Sequence, residues 1–108
     1  MQNLLKHNSR PTAMFSATDH AVIGATYAIR EASLRVPDDI SVVGMDDIEA
    51  ATFQNPPLTT VQQSLAQMAV LGVQILLDIL GGKEPTQPQI VLEPTLVVRG
   101  STAPPRGR

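Results

Sequence analysis

The first half of the chain alternates short apolar runs with one amphipathic segment. Residues 11–17 form an apolar run of the kind found in buried strands, and residues 40–45 form a second one rich in β-branched side chains. Between them, residues 19–34 carry apolar side chains at spacings of three and four, which predicts a helix. Residues 1–8 are interpreted as the end of an earlier helix. The succession of strand, helix and strand predicts a βαβ unit whose two strands are parallel neighbours.

Several shorter segments of the second half are assigned from turn residues and apolar runs. Residues 48–55 are interpreted as a connection, and residues 58–61 as a short strand or a crossover. Near the end of the chain, residues 90–92 and 96–98 predict two further strands, separated at Pro94 because proline interrupts a strand ladder. The pattern as a whole indicates an α/β protein.

One long helix is predicted at residues 65–80, which are apolar apart from a narrow polar face. Ser64 is a suitable N-cap, and the two glycines at 81–82 are typical of a left-handed helix end. This helix needs burial on most sides, because each large apolar side chain left in water forfeits about 1.5–3 kcal/mol. The predicted strands are too few to cover it. We therefore expect the chain to be a truncated reading frame or a fragment whose partner strands lie elsewhere.

Composition restricts the class of protein. With 43 % hydrophobic and 17 % charged residues, the chain is typical of a folded protein rather than a disordered one. Its net charge of −2 is not that of a module that binds nucleic acid by itself. The absence of cysteine excludes disulfides and thiolate metal sites. Residues 65–80 are too short and too polar to span a bilayer, and no secretory signal is recognisable, so we expect no membrane partner.

Catalytic and metal-binding patterns are not found in the sequence. His7 and His20 have no partner at ligand spacing, so neither predicts a metal site. The serines lie in no nucleophile motif, and no glycine-rich phosphate loop occurs. A receiver domain phosphorylated on Asp46 would need a lysine at a neighbouring strand end, whereas Lys6 and Lys83 lie on helix or turn segments. We therefore predict that the chain is not an enzyme and binds neither a metal nor a cofactor.

Polar side chains follow both strands of the predicted βαβ unit. Thr18 and Asp19 come after the first strand, and Asp46 and Asp47 come after the second. The carboxyl ends of parallel strands share one edge of the sheet, where open α/β proteins bind their ligands. The Asp46 carboxylate can accept hydrogen bonds from ligand hydroxyl groups there, or it can brace the following loop. Asp47 projects to the opposite side and is assigned a structural role.

Thr18 and Asp19 are both good N-cap residues for the helix that follows them. One of them can cap the helix while the other faces a ligand, and the sequence alone leaves open which does which. Both are therefore candidates for ligand contact at the sheet edge.

Five segments resemble successive signatures of the LacI/GalR family of transcriptional repressors. They occur in the family's order and at family-like spacing, and together they cover almost the whole chain, which makes the resemblance specific. The segments are residues 11–19 (PTAMFSATD), 23–25 (IGA), 36–47 (VPDDISVVGMDD), 56–61 (PPLTTV) and 97–102 (VVRGST).

The resemblance implies a periplasmic-binding-protein-like fold, an α/β architecture in which two Rossmann-like lobes joined by three crossovers hold a small effector between them. Residues 1–62 and about 95–103 would belong to the carboxy-terminal lobe, residues 63–94 to the amino-terminal lobe, and residues 104–108 to a tail. The chain would then be a partial domain that lacks the DNA-binding head and most of the amino-terminal lobe. The missing lobe would also account for the uncovered helix.

The resemblance also implies roles for particular residues. Asp46 and Thr18 match positions that contact effector in relatives, although the family commonly has asparagine where this chain has Thr18. Gln63, at the expected crossover, matches a cleft position and is assigned to ligand contact or to the hinge. Ile23 and Phe53 match a region that pairs subunits, and Ile23 is also a suitable core residue.

The function implied by the resemblance is effector sensing in a LacI-type DNA-binding regulator, with a sugar or related small molecule as the effector. A cytoplasmic location, a homodimer, and operator DNA bound through a head absent from this chain follow from the same resemblance. The alternative is a fragment of a periplasmic sugar-binding protein, which shares the fold. The segments at residues 56–60 and 97–102 favour the repressor.

Overall fold

The computed structural model describes residues 1–87 and 89–107. Arg108, the last residue of the expected tail, lies outside the described residues. The chain divides into two compact units: unit 1 comprises Met1–Gln62 and the described residues from Thr95 onward, and unit 2 comprises Gln63–Pro94. The helices and strands are α1 (Gln2–Leu5), β1 (Ala13–Phe15), α2 (Asp19–Glu31), β2 (Ser41–Met45), α3 (Glu49–Phe53), β3 (Thr59–Gln62), α4 (Leu65–Leu80) and β4 (Thr95–Val97).

The strands of unit 1 form a four-stranded sheet in the order β1-β2-β3-β4. β1 pairs with β2 and β2 pairs with β3 in parallel, whereas β3 and β4 are antiparallel. The predicted βαβ unit is confirmed, because α2 connects the parallel neighbours β1 and β2 and packs against β2. The carboxyl ends of β1, β2 and β3 therefore share one edge of the sheet.

The apolar stripe predicted for α2 faces the hydrophobic core. One face of the helix is buried together with residues of β2 and α3 and with the residues that directly precede β2 and β3. The core cluster consists of Val22, Ile29, Ile40, Val42, Ala51 and Leu58. The helix ends at Glu31, before the predicted limit at Leu34, because Ser33 takes a left-handed φ of 60° that a helix cannot continue through.

The segment predicted to be a connection contains the short helix α3. Ala51, in the middle of this helix, is fully buried, and its carbonyl oxygen accepts a hydrogen bond from Leu58 N at 2.9 Å. The prediction of a plain connection was wrong because the helix has a single small apolar anchor, which produces no periodic pattern in the sequence.

The predicted strands of the second half have different outcomes. Residues 58–61 and 96–98 correspond to β3 and β4, each shifted by one residue. The strand predicted at residues 90–92 was wrong, because those residues adopt no regular structure. A strand needs a neighbour that completes its hydrogen bonds, and within the described part of unit 2 the one regular element is α4.

The long helix α4 has the predicted bounds, Leu65–Leu80. Gly82, with a φ of 78°, provides the expected left-handed residue after the helix. The predicted cap by Ser64 was wrong: its side chain makes no capping hydrogen bond, because its ψ of 66° departs from the extended conformation of an N-cap. No residue of α4 is buried, and Leu76 and Leu77 are 60 % and 62 % exposed. The helix is therefore uncovered within the structure.

Within residues 1–87 and 89–107, no helix combines the length and the apolar character that crossing a membrane requires.

Candidate ligand-binding site

The turn that follows β2 has an unusual backbone. Asp46 and Asp47 have φ angles of 111° and 55°, in the positive region that side chains other than glycine seldom adopt. The amide of Asp46 donates to the carbonyl of Val61 in β3 at 2.9 Å, which holds the turn against the neighbouring strand. Asp46 is half-buried at the carboxyl edge of the sheet. Residues 46 and 47 form the Asp46 turn.

Thr18 caps helix α2. It has the extended conformation of an N-cap, and its Oγ1 accepts a hydrogen bond from Ala21 N at 3.2 Å. Thr18 is exposed and follows β1, the strand beside β2. Between Thr18 and Asp19, the structure thus assigns the capping role to Thr18.

Replacement of Thr18 by alanine is expected to destabilise unit 1 by about 1 kcal/mol, because the first turn of α2 loses its side-chain acceptor. Thr18→Ser is the matched control: it keeps the hydroxyl oxygen and should retain most of the wild-type stability. Urea denaturation followed by circular dichroism measures both variants. Equal stability of the alanine and wild-type proteins would show that the cap contributes nothing measurable.

Asp19 is fully buried and bound within the protein. One carboxylate oxygen accepts a hydrogen bond from the Thr60 hydroxyl at 2.6 Å, and the other accepts one from Ile48 N at 2.9 Å. These contacts brace β3 and the start of α3 from the first turn of α2. This corrects the expected contact between Asp19 and a ligand. A fully buried carboxylate whose two oxygens accept hydrogen bonds within the protein is not accessible to an effector.

Gly44 makes the burial of Asp19 possible. A Cβ atom at this position of β2 would collide with Asp19 Oδ1 and would lie 3.2 Å from Leu58 Cδ2. Position 44 of β2 therefore requires glycine, because the Asp19 carboxylate packs directly against the strand there.

Asp47 forms an ion pair with Arg99. Arg99 Nη2 lies 2.7 Å from Asp47 Oδ1, and the two side chains are 18 % and 11 % exposed. The second carboxylate oxygen accepts a hydrogen bond from Gln62 Nε2 at 2.8 Å. No role for Arg99 was predicted from the sequence, where its one signal is a cation directly after the apolar run at residues 96–98.

Hydroxyl groups fix the segment that follows β4 to the sheet. Ser101 is buried; its Oγ donates to the Val42 carbonyl at 2.6 Å and accepts from Thr59 N at 2.8 Å. Ser41 Oγ bonds both the amide and the carbonyl of Ala103 at 3.0 Å. These bonds satisfy backbone groups of β2 and β3 and attach the segment after β4 to the sheet.

The remaining predicted residues are Gln63, Ile23 and Phe53. Gln63 is half-buried and is the first residue of unit 2. Ile23 is half-buried on α2, which is consistent with either of its two expected roles. Phe53, at the end of α3, is 78 % exposed. Tyr27 on α2 is also exposed. The described residues include no cluster of three or more potential metal-ligating side chains.

Comparison with known proteins identifies the family. Residues 1–102 match the family described as periplasmic binding protein-like domain. The chain belongs to this family. The α/β periplasmic-binding-protein-like fold expected from the sequence is thereby confirmed, and so is the resemblance to LacI-type repressors.

The relatives of this periplasmic binding protein-like domain are transcriptional repressors. The ribose operon repressor of Haemophilus influenzae is 43 % identical over 101 residues, which are 94 % of this chain and 30 % of that protein. A dimeric lac repressor with an 11-residue carboxy-terminal deletion superposes with a TM-score of 0.87 at 39 % identity, over 97 % of this chain and 38 % of that one. A LacI-family regulator from Lactobacillus casei with bound sucrose has a TM-score of 0.78 at 37 % identity, over 94 % and 38 %. The chain thus spans about a third of the length of these relatives.

Proposed function

We propose that this chain is the carboxy-terminal part of the effector-sensing domain of a LacI-type transcriptional regulator. In this proposal, a sugar or a related small molecule binds at the carboxyl edge of its sheet. The observation that carries the proposal is the Asp46 turn, which is held on β3 at the edge where α/β proteins bind ligands. The names of the relatives and the sucrose bound to one of them support the assignment.

The proposed contacts use two residues of unit 1. The Asp46 carboxylate accepts hydrogen bonds from effector hydroxyl groups, which charged acceptors hold more strongly than neutral ones. The Thr18 hydroxyl, already an acceptor for the helix cap, can still donate its hydrogen to a ligand oxygen. The parallel pairing of Phe15 with Val43 supports a common site, because the strands that precede Thr18 and Asp46 are neighbours. Gln63 is proposed as a third contact or a hinge residue.

The two compact units support a division between lobes. Unit 1 is proposed to belong to the carboxy-terminal lobe and unit 2 to the amino-terminal lobe, with crossovers at Gln62–Gln63 and Pro94–Thr95. The uncovered apolar surface of α4 supports this assignment, because the strands that it would cover are not among the described residues.

A homodimer is proposed, with Ile23 and Phe53 at its interface. Support comes from the exposed aromatic ring of Phe53 and from the dimeric lac repressor that this chain resembles. Operator DNA would be bound by a DNA-binding head that these residues do not include, in a cytoplasmic regulator without catalytic activity. The effector would act by binding the two lobe arrangements with different affinity, since only differential affinity shifts a conformational equilibrium.

Replacement of Asp46 by asparagine is expected to weaken effector binding by about ten- to hundredfold, the loss that follows when a charged acceptor becomes neutral. Asparagine is nearly isosteric and tolerates a positive φ, so the turn itself should persist. A thermal-shift screen of sugars and purines on the protein as its gene encodes it first identifies the effector. Isothermal titration calorimetry then compares the variant with the wild type.

Asp38→Asn is the matched control for this experiment. Asp38 is an exposed carboxylate that pairs with Arg35 and Arg106 at the opposite end of β2, so its removal should leave effector affinity unchanged. Wild-type affinity in Asp46→Asn would contradict the proposed contact. A screen in which no sugar stabilises the protein, or in which a purine alone does so, would contradict the proposed effector class.

A further inference from the structure

The Asp46 turn requires something to hold it. Two consecutive non-glycine residues with positive φ form a conformation that persists only where the surrounding structure imposes it. The backbone bond from Asp46 N to Val61 O restrains one side of the turn. At Asp47, the amide meets Thr60 Oγ1 at a long 3.4 Å, so the backbone alone is weakly held there. The side chain of Asp47 is the stronger restraint.

Each oxygen of the Asp47 carboxylate accepts a hydrogen bond, and the carboxylate and its arginine partner are both largely shielded from water. Arg99 Nη2 donates to one oxygen at 2.7 Å and Gln62 Nε2 donates to the other at 2.8 Å. Asp47 retains 11 % side-chain exposure and Arg99 18 %. A short charge-assisted bond between two largely buried groups is stronger and more directional than the same pair on the surface.

Arg99 is itself anchored, so it can act as a fixed point. Its Nη1 donates to the Leu58 carbonyl at 2.9 Å, and its backbone amide donates to Thr59 Oγ1 at 3.0 Å. Thr59 is the first residue of β3 and Leu58 directly precedes it, and Leu58 is part of the buried core. The guanidinium therefore links the Asp47 carboxylate to the buried core through hydrogen bonds.

We propose that Asp47 is the positioning residue of the effector site: through Arg99 and Gln62, its carboxylate holds the turn in the left-handed conformation that presents Asp46. This inference rests on the proposed function in one respect, namely that Asp46 contacts the effector. The proposed action of Asp47 on the turn stands independently of any ligand.

The experiment measures amide hydrogen exchange in the protein as its gene encodes it. In Asp47→Ala, the Asp46 amide is expected to exchange about ten- to hundredfold faster, because the turn loses a charged restraint. The Ile29 amide in the core helix should keep its wild-type rate, which separates local release from global unfolding. Asp38→Ala is the matched control: it removes an exposed carboxylate with two arginine partners, and the Asp46 amide should be unaffected.

Two further variants separate positioning from general stabilisation. Asp47→Gly removes the same side chain but adopts a positive φ without steric cost, so the Asp46 amide should exchange at a rate between those of the wild type and Asp47→Ala. Arg99→Lys keeps the charge but loses the planar fork that bonds both Asp47 and Leu58, so the Asp46 amide should retain only part of its wild-type protection from exchange. If the Asp46 amide exchanged at the wild-type rate in Asp47→Ala, the positioning role would be overturned.

Binding of D-ribose, measured by calorimetry, tests the connection to the effector. Wild-type binding that weakens about tenfold or more in Asp47→Ala, with unchanged exchange at Ile29, is the expected result. Faster exchange of the Asp46 amide with unchanged ribose affinity would overturn the effector part of the inference. If the wild type does not bind D-ribose, the exchange rates still decide the role of Asp47, and the same affinity comparison is made with the sugar that the thermal-shift screen identifies.

Discussion

Replacement of Gly44 by alanine is expected to destabilise unit 1 by about 1–3 kcal/mol, the usual cost of forcing an extra methyl group into a packed interior. The new Cβ would collide with the Asp19 carboxylate and would lie 3.2 Å from Leu58 Cδ2. Neither neighbour moves cheaply, because Asp19 is bonded on both oxygens and Leu58 is in the core cluster. Thermal unfolding measures the effect, at about 4–8 °C per kcal/mol for a unit of this size.

Gly24→Ala is the matched control for Gly44→Ala. Gly24 lies in α2, and a Cβ there would meet no atom within 4 Å. Alanine is also the better helix former by about 0.5–1 kcal/mol, so this variant should unfold at the same temperature as the wild type or higher. Similar losses in the two variants would contradict the steric explanation, since only one position is crowded.

Replacement of Asp19 by alanine is expected to have the largest effect on stability. Two donors would lose their acceptor, and at about 1–3 kcal/mol each the free energy of unfolding should fall by about 2–6 kcal/mol. The Thr60 hydroxyl, which is fully buried, and the Ile48 amide would both lose their acceptor. Equilibrium urea unfolding of wild type and variant measures the loss. Asp19→Asn, which keeps one acceptor oxygen, should lose less.

The double variant Asp19→Ala with Gly44→Ala tests whether the two residues act through one contact. Removing the carboxylate vacates the space that the methyl group added at position 44 needs, so Gly44→Ala should cost less in the Asp19→Ala background than in the wild type. Residues in direct contact typically show a coupling of about 0.5–3 kcal/mol. Strictly additive costs would mean that the methyl group and the carboxylate do not compete for the same space.

The choice of N-cap residue for α2 could not be predicted from the sequence. Thr18 and Asp19 are equally suitable caps by residue type, and nothing within a few positions distinguishes them. The choice depends on Thr60, 41 residues from Asp19 along the chain, whose hydroxyl occupies the Asp19 carboxylate. With Asp19 held inside, Thr18 is left to cap the helix and to remain exposed at the sheet edge.

Two errors in the predicted elements have the same origin. The run at residues 90–92 has the composition of a strand, but the described part of unit 2 offers no strand for it to pair with. Helix α3 lacks an apolar period, yet it forms because Ala51 fits into the core and its carbonyl accepts from Leu58 N. In both segments, the packing available elsewhere in the fold decided the outcome: a pairing strand is lacking for residues 90–92 among the described residues of unit 2, whereas the core accommodates Ala51.

The sequence by itself determined the βαβ unit, the bounds of α4 and the sheet edge at which Asp46 lies. It could do so because apolar periodicity, N-cap residues and glycine stops act between residues only a few positions apart. Only the tertiary structure decided that Asp19 is internal, that Gly44 must lack a side chain, and that Arg99 holds Asp47 from 52 residues away. Those roles depend on which side chains the packed sheet brings together, and no local pattern carries that information.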